Sequence, residues 1–258
     1  MDNAGAVLGP LIAFVLLRQF DVSLRNVFWL AAIPGVLAFI VLVIAVKEVE
    51  HAVPDEVASK PVLDTTTRLG RRFWLYIGVV FLFTLGNSTD AFLLLRANQL
   101  GVAVALTPIL WAFLNLVKAA LGTWGGALSD RFGRRPLIIA GWAIYALVYF
   151  GFARATEQWH AWALFGSYAL FYALTEGTEK AFVADLIPRE RRGAAFGWFN
   201  LAIGLGALPA SVIFGAIWDS RGASTAFTFG AALAILAAAG MFFIVPRSNN
   251  AVRSPGIA

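Results

Sequence analysis

The 258-residue chain contains no cysteine, which excludes disulfides, thiolate metal sites and cysteine nucleophiles. Histidine is nearly absent as well: His51 and His160 stand far apart and share no metal-ligand spacing. No G-x-S-x-G elbow or phosphate-binding loop occurs, and the glycines of GLGALPA (204–210) lie inside an apolar run rather than at a strand-turn-helix junction. An enzyme reading, here an integral membrane enzyme, therefore lacks a catalytic group, and no cofactor or metal is expected. Charge is also scarce, 14% of residues against roughly 25% in soluble domains. The net charge of +5 does not indicate nucleic-acid binding, because the basic residues sit in short loops between apolar runs. The opening MDNAGAVLGPLIAFVLL lacks the basic start of a signal peptide, its first basic residue being Arg18.

What fills the space is apolar. Hydrophobic residues make up 60% of the chain and the mean hydropathy is +0.76, which points to an integral membrane protein. Several of the 9 Trp and 22 Phe stand near the ends of apolar runs, as interfacial anchors do. Eight helical segments are predicted, at about 4–17, 27–46, 73–97, 106–128, 136–153, 161–187, 194–217 and 224–245. All but the first reach spanning length. Most connections are tight, as at DRFGRRP and PRERRG, but residues 47–72 are polar, mixed in charge and carry two Pro, hence a linker. With that linker in the cytoplasm, thirteen Lys and Arg fall inside and five (Arg18, Arg25, Arg96, Arg154, Arg221) outside, in accord with the positive-inside rule. Lys118 and Lys180 remain within the spans.

A constant offset of 199 places Gly5 and Pro10 on Gly204 and Pro209, Phe28 on Phe227 and Val46 on Val245. The pair of helices at 4–46 thus repeats the pair at 194–245 without a gap. Parallel repeats of six-helix halves characterise one large class of transporters. On this reading 1–46 are the last two helices of an N-terminal half, 47–72 the cytoplasmic linker, 73–246 the C-terminal six-helix half and 247–258 a cytoplasmic tail. The first helix is then expected to lack about two turns, and about four earlier helices to be absent.

The motif GGALSDRFGRRP (125–136) resembles the loop signature G-x-L-x-D-R-x-G-R-R of the major facilitator superfamily through Gly126, Leu128, Asp130, Arg131, Gly133, Arg134 and Arg135. Gly126 suits close backbone approach and Gly133 a turn with positive φ. Asp130 stands at a helix C-terminus, where the dipole disfavours a carboxylate; it is expected to lean on Arg131, Arg134 or Arg135. The bland alternative is a generic basic turn. GAVLGP (Gly5, Gly9, Pro10) looks like the fifth helix of that superfamily, GNSTDAFLLLRA like the seventh, NLVKA like the eighth, and EGTEKAFVADLIPRERRGAAFG like the tenth with its following loop. The resemblance covers residues 1–245, with Trp124 departing from the small residue or Pro expected there. It implies an all-α integral membrane protein, a general-substrate-transporter-like bundle of eight transmembrane helices equivalent to 5–12 of twelve, in the inner or plasma membrane with both the linker and the C-terminus cytoplasmic.

Ionisable residues within spans are costly, about 2.5–3.5 kcal/mol each on insertion scales, and so point to function. They are Asp90, Lys118, Glu176, Glu179 and Lys180. By the resemblance they fall on helices seven, eight and ten, which face the central cavity, and not on nine or twelve, which face lipid. Asn87 shares a helix face with Asp90, as Asn115 does with Lys118. Glu176 and Lys180 are spaced for an ion pair. Such pairs either brace the bundle or bind substrate and protons; a carboxylate inside a bilayer can cycle between charged and neutral forms, so Asp90, Glu176 and Glu179 are candidate proton carriers. Asp185, beside PRERR, is expected to partner loop arginines, and Arg96 to snorkel. Gly204, Gly206 and Pro209, like Gly5, Gly9 and Pro10, suit a bending, closely packed helix. The resemblance implies a secondary active transporter of a small solute working by alternating access, with membrane lipid, an unidentified substrate and candidate protons as partners. The alternative is a truncated or split fragment inactive alone, completed by a separate chain that supplies helices 1–4.

Overall fold

The computed structural model describes residues 2–20, 22–45, 69–243 and 245, with the side chains of 2–4, 24 and 45 outside that description. The described residues form nine α-helices: α1 (Asp2–Gln19), α2 (Leu24–Ala45), α3 (Gly70–Gly86), α4 (Ala91–Gln99), α5 (Thr107–Phe132), α6 (Arg134–Arg154), α7 (Gln158–Leu186), α8 (Arg192–Arg221) and α9 (Ala223–Phe243). Short 3-10 turns at Val104–Leu106 and Arg189–Arg191 lead into α5 and α8. No strand occurs among them, so away from the helix ends the backbone groups are paired mainly within their own helix, as lipid requires.

Local chemistry sets the ends. Gly133 (φ 87°) ends α5 with its N–H on the Ser129 carbonyl, and Gly222 (φ 85°) ends α8 on that of Trp218. Glu157 and His160 form a reciprocal capping box at the start of α7.

Six helical segments are long and apolar enough to cross a membrane: Arg25–Ile44, Gly70–Gln99, Val104–Phe132, Arg134–Arg154, Arg189–Arg221 and Ala223–Phe243. Two of the eight expected spans fall outside this set. The apolar part of α1, Gly5–Gln19, is shorter. The 29-residue α7 has the length but carries Glu176, Glu179, Lys180 and Asp185. The segment expected at 73–97 is two helices, α3 and α4, interrupted at 87–90. Gly70, Arg71 and Arg72, expected in the linker, form the first turn of α3. The rest of the linker and the tail lie outside the described residues.

The core gathers around α6, whose Trp142, Tyr145, Tyr149 and Phe152 are fully buried. It packs against α9 and α7, while α5 packs on α7, and α3 on α8 and α9. Ala223, Ala226, Gly230, Ala234 and Ala237 are the buried stripe of α9, and small residues at this spacing let helices approach closely. A Cβ on Gly230 would meet the Tyr149 ring at 2.8 Å and the Gly86 carbonyl at 2.9 Å, so α3, α6 and α9 converge there. α1 packs on α5. α2 is different: it is apolar all round, none of its span is buried, and Phe28 and Ile44 are 77% and 75% exposed. Such a surface suits lipid, not water. Shifted by 199, α2 falls on 223–244, over α9, and Pro10 and Pro209 both lie inside their helices.

Candidate functional site

The interruption at 87–90 follows from Gly86-Asn87-Ser88-Thr89, a run of poor helix formers whose side chains compete for backbone groups. Broken backbone at membrane depth is tolerated only where protein or a cavity covers it. Here tyrosines cover it. The Tyr145 hydroxyl lies 3.1 Å from the Gly86 carbonyl and 3.3 Å from Asn87 Oδ1. Tyr149 and Ser88 hydroxyls are 3.4 Å apart, and the Thr89 N–H donates to Ser211 Oγ on α8 at 3.3 Å. Asp90, just before α4, accepts hydrogen bonds from Tyr168 (2.7 Å, Oδ1) and Tyr172 (2.9 Å, Oδ2) of α7. The Tyr168 bond has the length of a charge-assisted one, and the Tyr172 bond that of an ordinary hydroxyl bond. Four of the chain's five tyrosines thus line one break.

The lysine belongs to the same cluster by another route. Lys118 Nζ of α5 pairs with Glu176 Oε2 of α7 at 2.8 Å and lies 4.3 Å from the centroid of the Tyr172 ring. The Glu176–Lys180 pair that the spacing offers does not form. Glu176 reaches across to α5 rather than to Lys180, because α5 and α7 touch through Gly125, whose Cβ would run into the Ala173 carbonyl. Asp90 takes tyrosine hydroxyls and makes no ion pair with Lys118, which is committed to Glu176. Asn115 turns back to the Trp111 carbonyl of its own helix (2.9 Å) and does not join Asp90. Glu179 accepts from Trp142 Nε1 of α6 at 2.8 Å, deeper in the bundle. Lys180 is exposed and forms no hydrogen bond or ion pair among the described residues.

The signature loop is organised by its last two arginines. Arg134 pairs with Asp185 Oδ2 at 2.9 Å and donates to the Ala181 carbonyl, clamping the loop to the end of α7. Arg135 donates to the Met241 and Phe242 carbonyls at the end of α9, placing a cation against that helix's C-terminal dipole. Arg131 lies over the Phe132 ring, 5.4 Å from its centroid. Asp130 is exposed and has no hydrogen bond or ion pair among the described residues. The expected Asp130–arginine contact is therefore not made, because Arg134 and Arg135 are engaged by α7 and α9. Asp185 has the loop-arginine partner expected for it. Arg71, Arg72, Asp130, Arg134, Arg135 and Asp185 line an open cavity of about 890 Å³ at this end of the bundle. Leu128 (38%) and Trp124 (72%) are exposed.

Close approach falls one residue before the motif glycine, at Gly125; a Cβ on Gly126 would meet nothing within 4 Å. Gly206 does pack closely, against Thr84 at 2.8 Å, whereas Gly5, Gly9 and Gly204 face open space. Arg96 caps the end of α6 through the Phe152 (3.1 Å) and Ala155 (2.9 Å) carbonyls.

The tyrosine lining is what the sequence reading missed. The i, i+4 pairs Tyr145/Tyr149 and Tyr168/Tyr172 were its visible signal, since a tyrosine hydroxyl inside an apolar span needs a partner.

Together these features define an all-helical membrane protein with a polar, partly charged cluster at a broken helix. The family model for the Major Facilitator Superfamily matches the chain twice, over residues 1–178 and 91–258, and the chain belongs to that superfamily. An uncharacterized MFS-type transporter of Methanocaldococcus jannaschii is 31% identical over 249 residues, covering 94% of this chain and 61% of the relative. An uncharacterized protein of Mycobacterium tuberculosis is 26% identical over 224 residues (85% and 54%). Multidrug resistance protein MdtH of Edwardsiella ictaluri is 31% identical over 163 residues (61% and 39%). The chain thus spans little more than half the length of the first relatives it matches.

Proposed function

We propose that the chain contributes to a secondary active transporter of the plasma or inner membrane that moves a small solute by alternating access. The observation that carries this reading is Asp90, a carboxylate at a helix break, held among the described residues only by tyrosine hydroxyls and adjoining the Lys118–Glu176 pair. Discontinuous helices with polar groups at midplane depth are where secondary transporters bind substrate and coupling ions. Asp90, with Glu176 and Glu179 beneath it, is the proposed proton-carrying site. Asn87, Asn115 and Lys180 are proposed as further cavity residues. The signature loop, through Arg134 and Arg135, gates or braces the cytoplasmic end. In this reading residues 1–46 close an N-terminal half, 73–246 form the C-terminal half, and linker and tail are cytoplasmic.

The test is reconstitution in vesicles with a trapped pH dye. A solute that collapses an imposed pH gradient through the native chain, and fails to through Asp90→Asn, supports the reading. Solute flux that ignores both the gradient and Asp90→Asn overturns the proton role.

A second reading follows from the coverage of the relatives, 61% and 54% of their lengths. We infer that the complete cavity uses further helices, on the same or a separate polypeptide, and that the described segment alone does not transport. Flux that appears only when a polypeptide bearing four such helices is added supports it.

A further inference from the structure

The open cavity of about 890 Å³ beside the signature loop collects positive ends. Gly70, Arg71 and Arg72, the first turn of α3, line it from one side, and Arg134 and Arg135, which open α6, from the other. Neither helix start carries a side-chain cap. The first amides of a helix have no partner within it, and the helix dipole favours negative charge there. Two such starts opening into one space reinforce each other. Four arginines line the cavity against two aspartates, and Asp185 is already engaged by Arg134 at 2.9 Å. Asp130 opposes an anion, but it is exposed and screened by water and salt. Arg72 and Arg135 serve other groups as well, whereas the exposed Arg71 makes no hydrogen bond or ion pair among the described residues.

An independent sign of a ligand lies in the wall. Ser129 is 6% exposed and lines the cavity, yet its hydroxyl makes no hydrogen bond among the described residues. A helical serine commonly bonds back to the carbonyl four residues earlier, as Ser167, Ser211 and Ser220 do here. A buried hydroxyl without a partner is costly, so this donor is left for whatever occupies the cavity. A phosphate group answers these features together. It accepts from helix-start amides, guanidinium forks and a hydroxyl at once. The volume exceeds what a bare ion needs and falls within the roughly 300–1,000 Å³ of small-ligand sites. Phe73 and Phe182 add an apolar wall for an organic part.

We propose that this cavity binds a phosphate ester, with the phosphoryl oxygens between the starts of α3 and α6, taken by Arg71 and the Ser129 hydroxyl. Two sources share that chemistry: the headgroup of an anionic lipid in the adjoining leaflet, and a soluble phosphate ester. The site is separate from the Asp90 cluster and does not depend on the transport reading.

The probe is glycerol phosphate, titrated calorimetrically at fixed salt into the chain in phosphatidylcholine nanodiscs, with empty nanodiscs subtracted and glycerol as the uncharged control. Saturable binding of the phosphate and none of glycerol is expected. Ser129→Ala leaves every charge in place and should weaken binding about tenfold, the loss of one hydrogen bond to a charged group. Arg71→Gln should weaken it by about the same factor. Arg189→Gln, which removes a basic residue outside the cavity, should change it by less than about twofold. A second arm separates the sources: native mass spectrometry of the chain released from mixed phosphatidylglycerol and phosphatidylcholine bilayers. Retention of phosphatidylglycerol over phosphatidylcholine that is lost in Ser129→Ala assigns the lipid headgroup. Saturable probe binding without such retention assigns the soluble ester. The proposal is overturned if neither occurs, or if Ser129→Ala has no larger effect than Arg189→Gln, as a diffuse basic surface would give. If Arg71→Gln fails to fold, the native chain and Ser129→Ala still decide it. Phosphate binding and pH-driven flux are read separately, so the failure of one leaves the other standing.

Discussion

Gly125→Ala should separate the α5–α7 crossing from the rest of the bundle's packing. The new Cβ would fall on the carbonyl oxygen and carbon of Ala173, which are backbone atoms with no rotamer by which to escape. The helices must therefore part or tilt. Overpacking of this kind costs about 1–3 kcal/mol. Against it stands the gain of Ala over Gly in a helix, up to about 1 kcal/mol. Gly122→Ala and Gly126→Ala isolate that gain, because a Cβ at either position meets nothing within 4 Å. The variant and its controls should then differ in stability by about 1–3 kcal/mol, or several degrees in unfolding midpoint. Lys118 lies two turns before Gly125 on α5, and Glu176 one turn beyond Ala173 on α7, so parting the crossing should also loosen that ion pair. The assay is thermal unfolding in nanodiscs followed by tryptophan fluorescence, with identical lipid and protein concentration. Equal midpoints for Gly125→Ala and Gly126→Ala would refute the assignment of close contact to Gly125 and restore it to the motif position.

Three further outcomes are expected. In a double-mutant cycle of Lys118→Met and Glu176→Gln, the pair should show a coupling of only about 0.5–1 kcal/mol in unfolding, because Glu176 is 49% exposed and screened; coupling above 3 kcal/mol would mean that the pair is buried. Arg96→Met leaves the Phe152 and Ala155 carbonyls without their donor, costing about 1–3 kcal/mol and speeding amide exchange in the last turn of α6 but not in its first. Arg134→Lys keeps the charge but not the fork that serves both Asp185 and the Ala181 carbonyl; protease cleavage within 131–135 should accelerate severalfold, and unchanged cleavage would count against the clamp.

Much of the bundle was legible because apolar length and turn chemistry are local properties. Gly133 and Gly222 end helices because only a residue without Cβ takes φ near 87° or 85° cheaply; the first was read from DRFGRRP, and the second follows the same rule. The 199-residue offset matched α2 to α9 to within a residue or two, since two copies of one pattern have the same start and stop signals. Partners across helices were not legible in the same way. Glu176 and Lys180 have the spacing of a pair, but spacing on one helix says nothing of what a second helix brings closer. The approach at Gly125 carries α5 within reach and gives Glu176 to Lys118. The same holds for Asp130: its neighbours in sequence are arginines, and the ends of α7 and α9 bind two of them in its place. Tyrosines were passed over because their bodies read as core; only the hydroxyl, which must find a partner, marks them as part of a site.

The break between α3 and α4 gives the two segments different anchors. α3 is seated on α8 and α9, where Gly86 and Gly230 bring their backbones together and a Cβ on Gly86 would meet the Gly230 carbonyl at 3.0 Å. α4 is held from other directions: by Asp90 to two tyrosines of α7, by Arg96 to the end of α6, and by the Phe92 ring to Phe214 of α8 at 4.8 Å. A continuous helix would transmit any shift of one segment rigidly to the other. A chain whose helix is interrupted at 87–90 does not, and its carbonyl at Gly86 is answered by Tyr145, a side chain able to follow a small movement. Asp90 stands at the start of α4, and its carboxylate bonds only to α7 among the described residues. On the proposed proton role, a proton at Asp90 would weaken a bond between α4 and α7 while the seat of α3 on α9 stays untouched. On that proposed role, the separation makes Asp90, rather than the better-paired Glu176 or the more deeply placed Glu179, the residue at which occupancy and helix movement would be most directly linked.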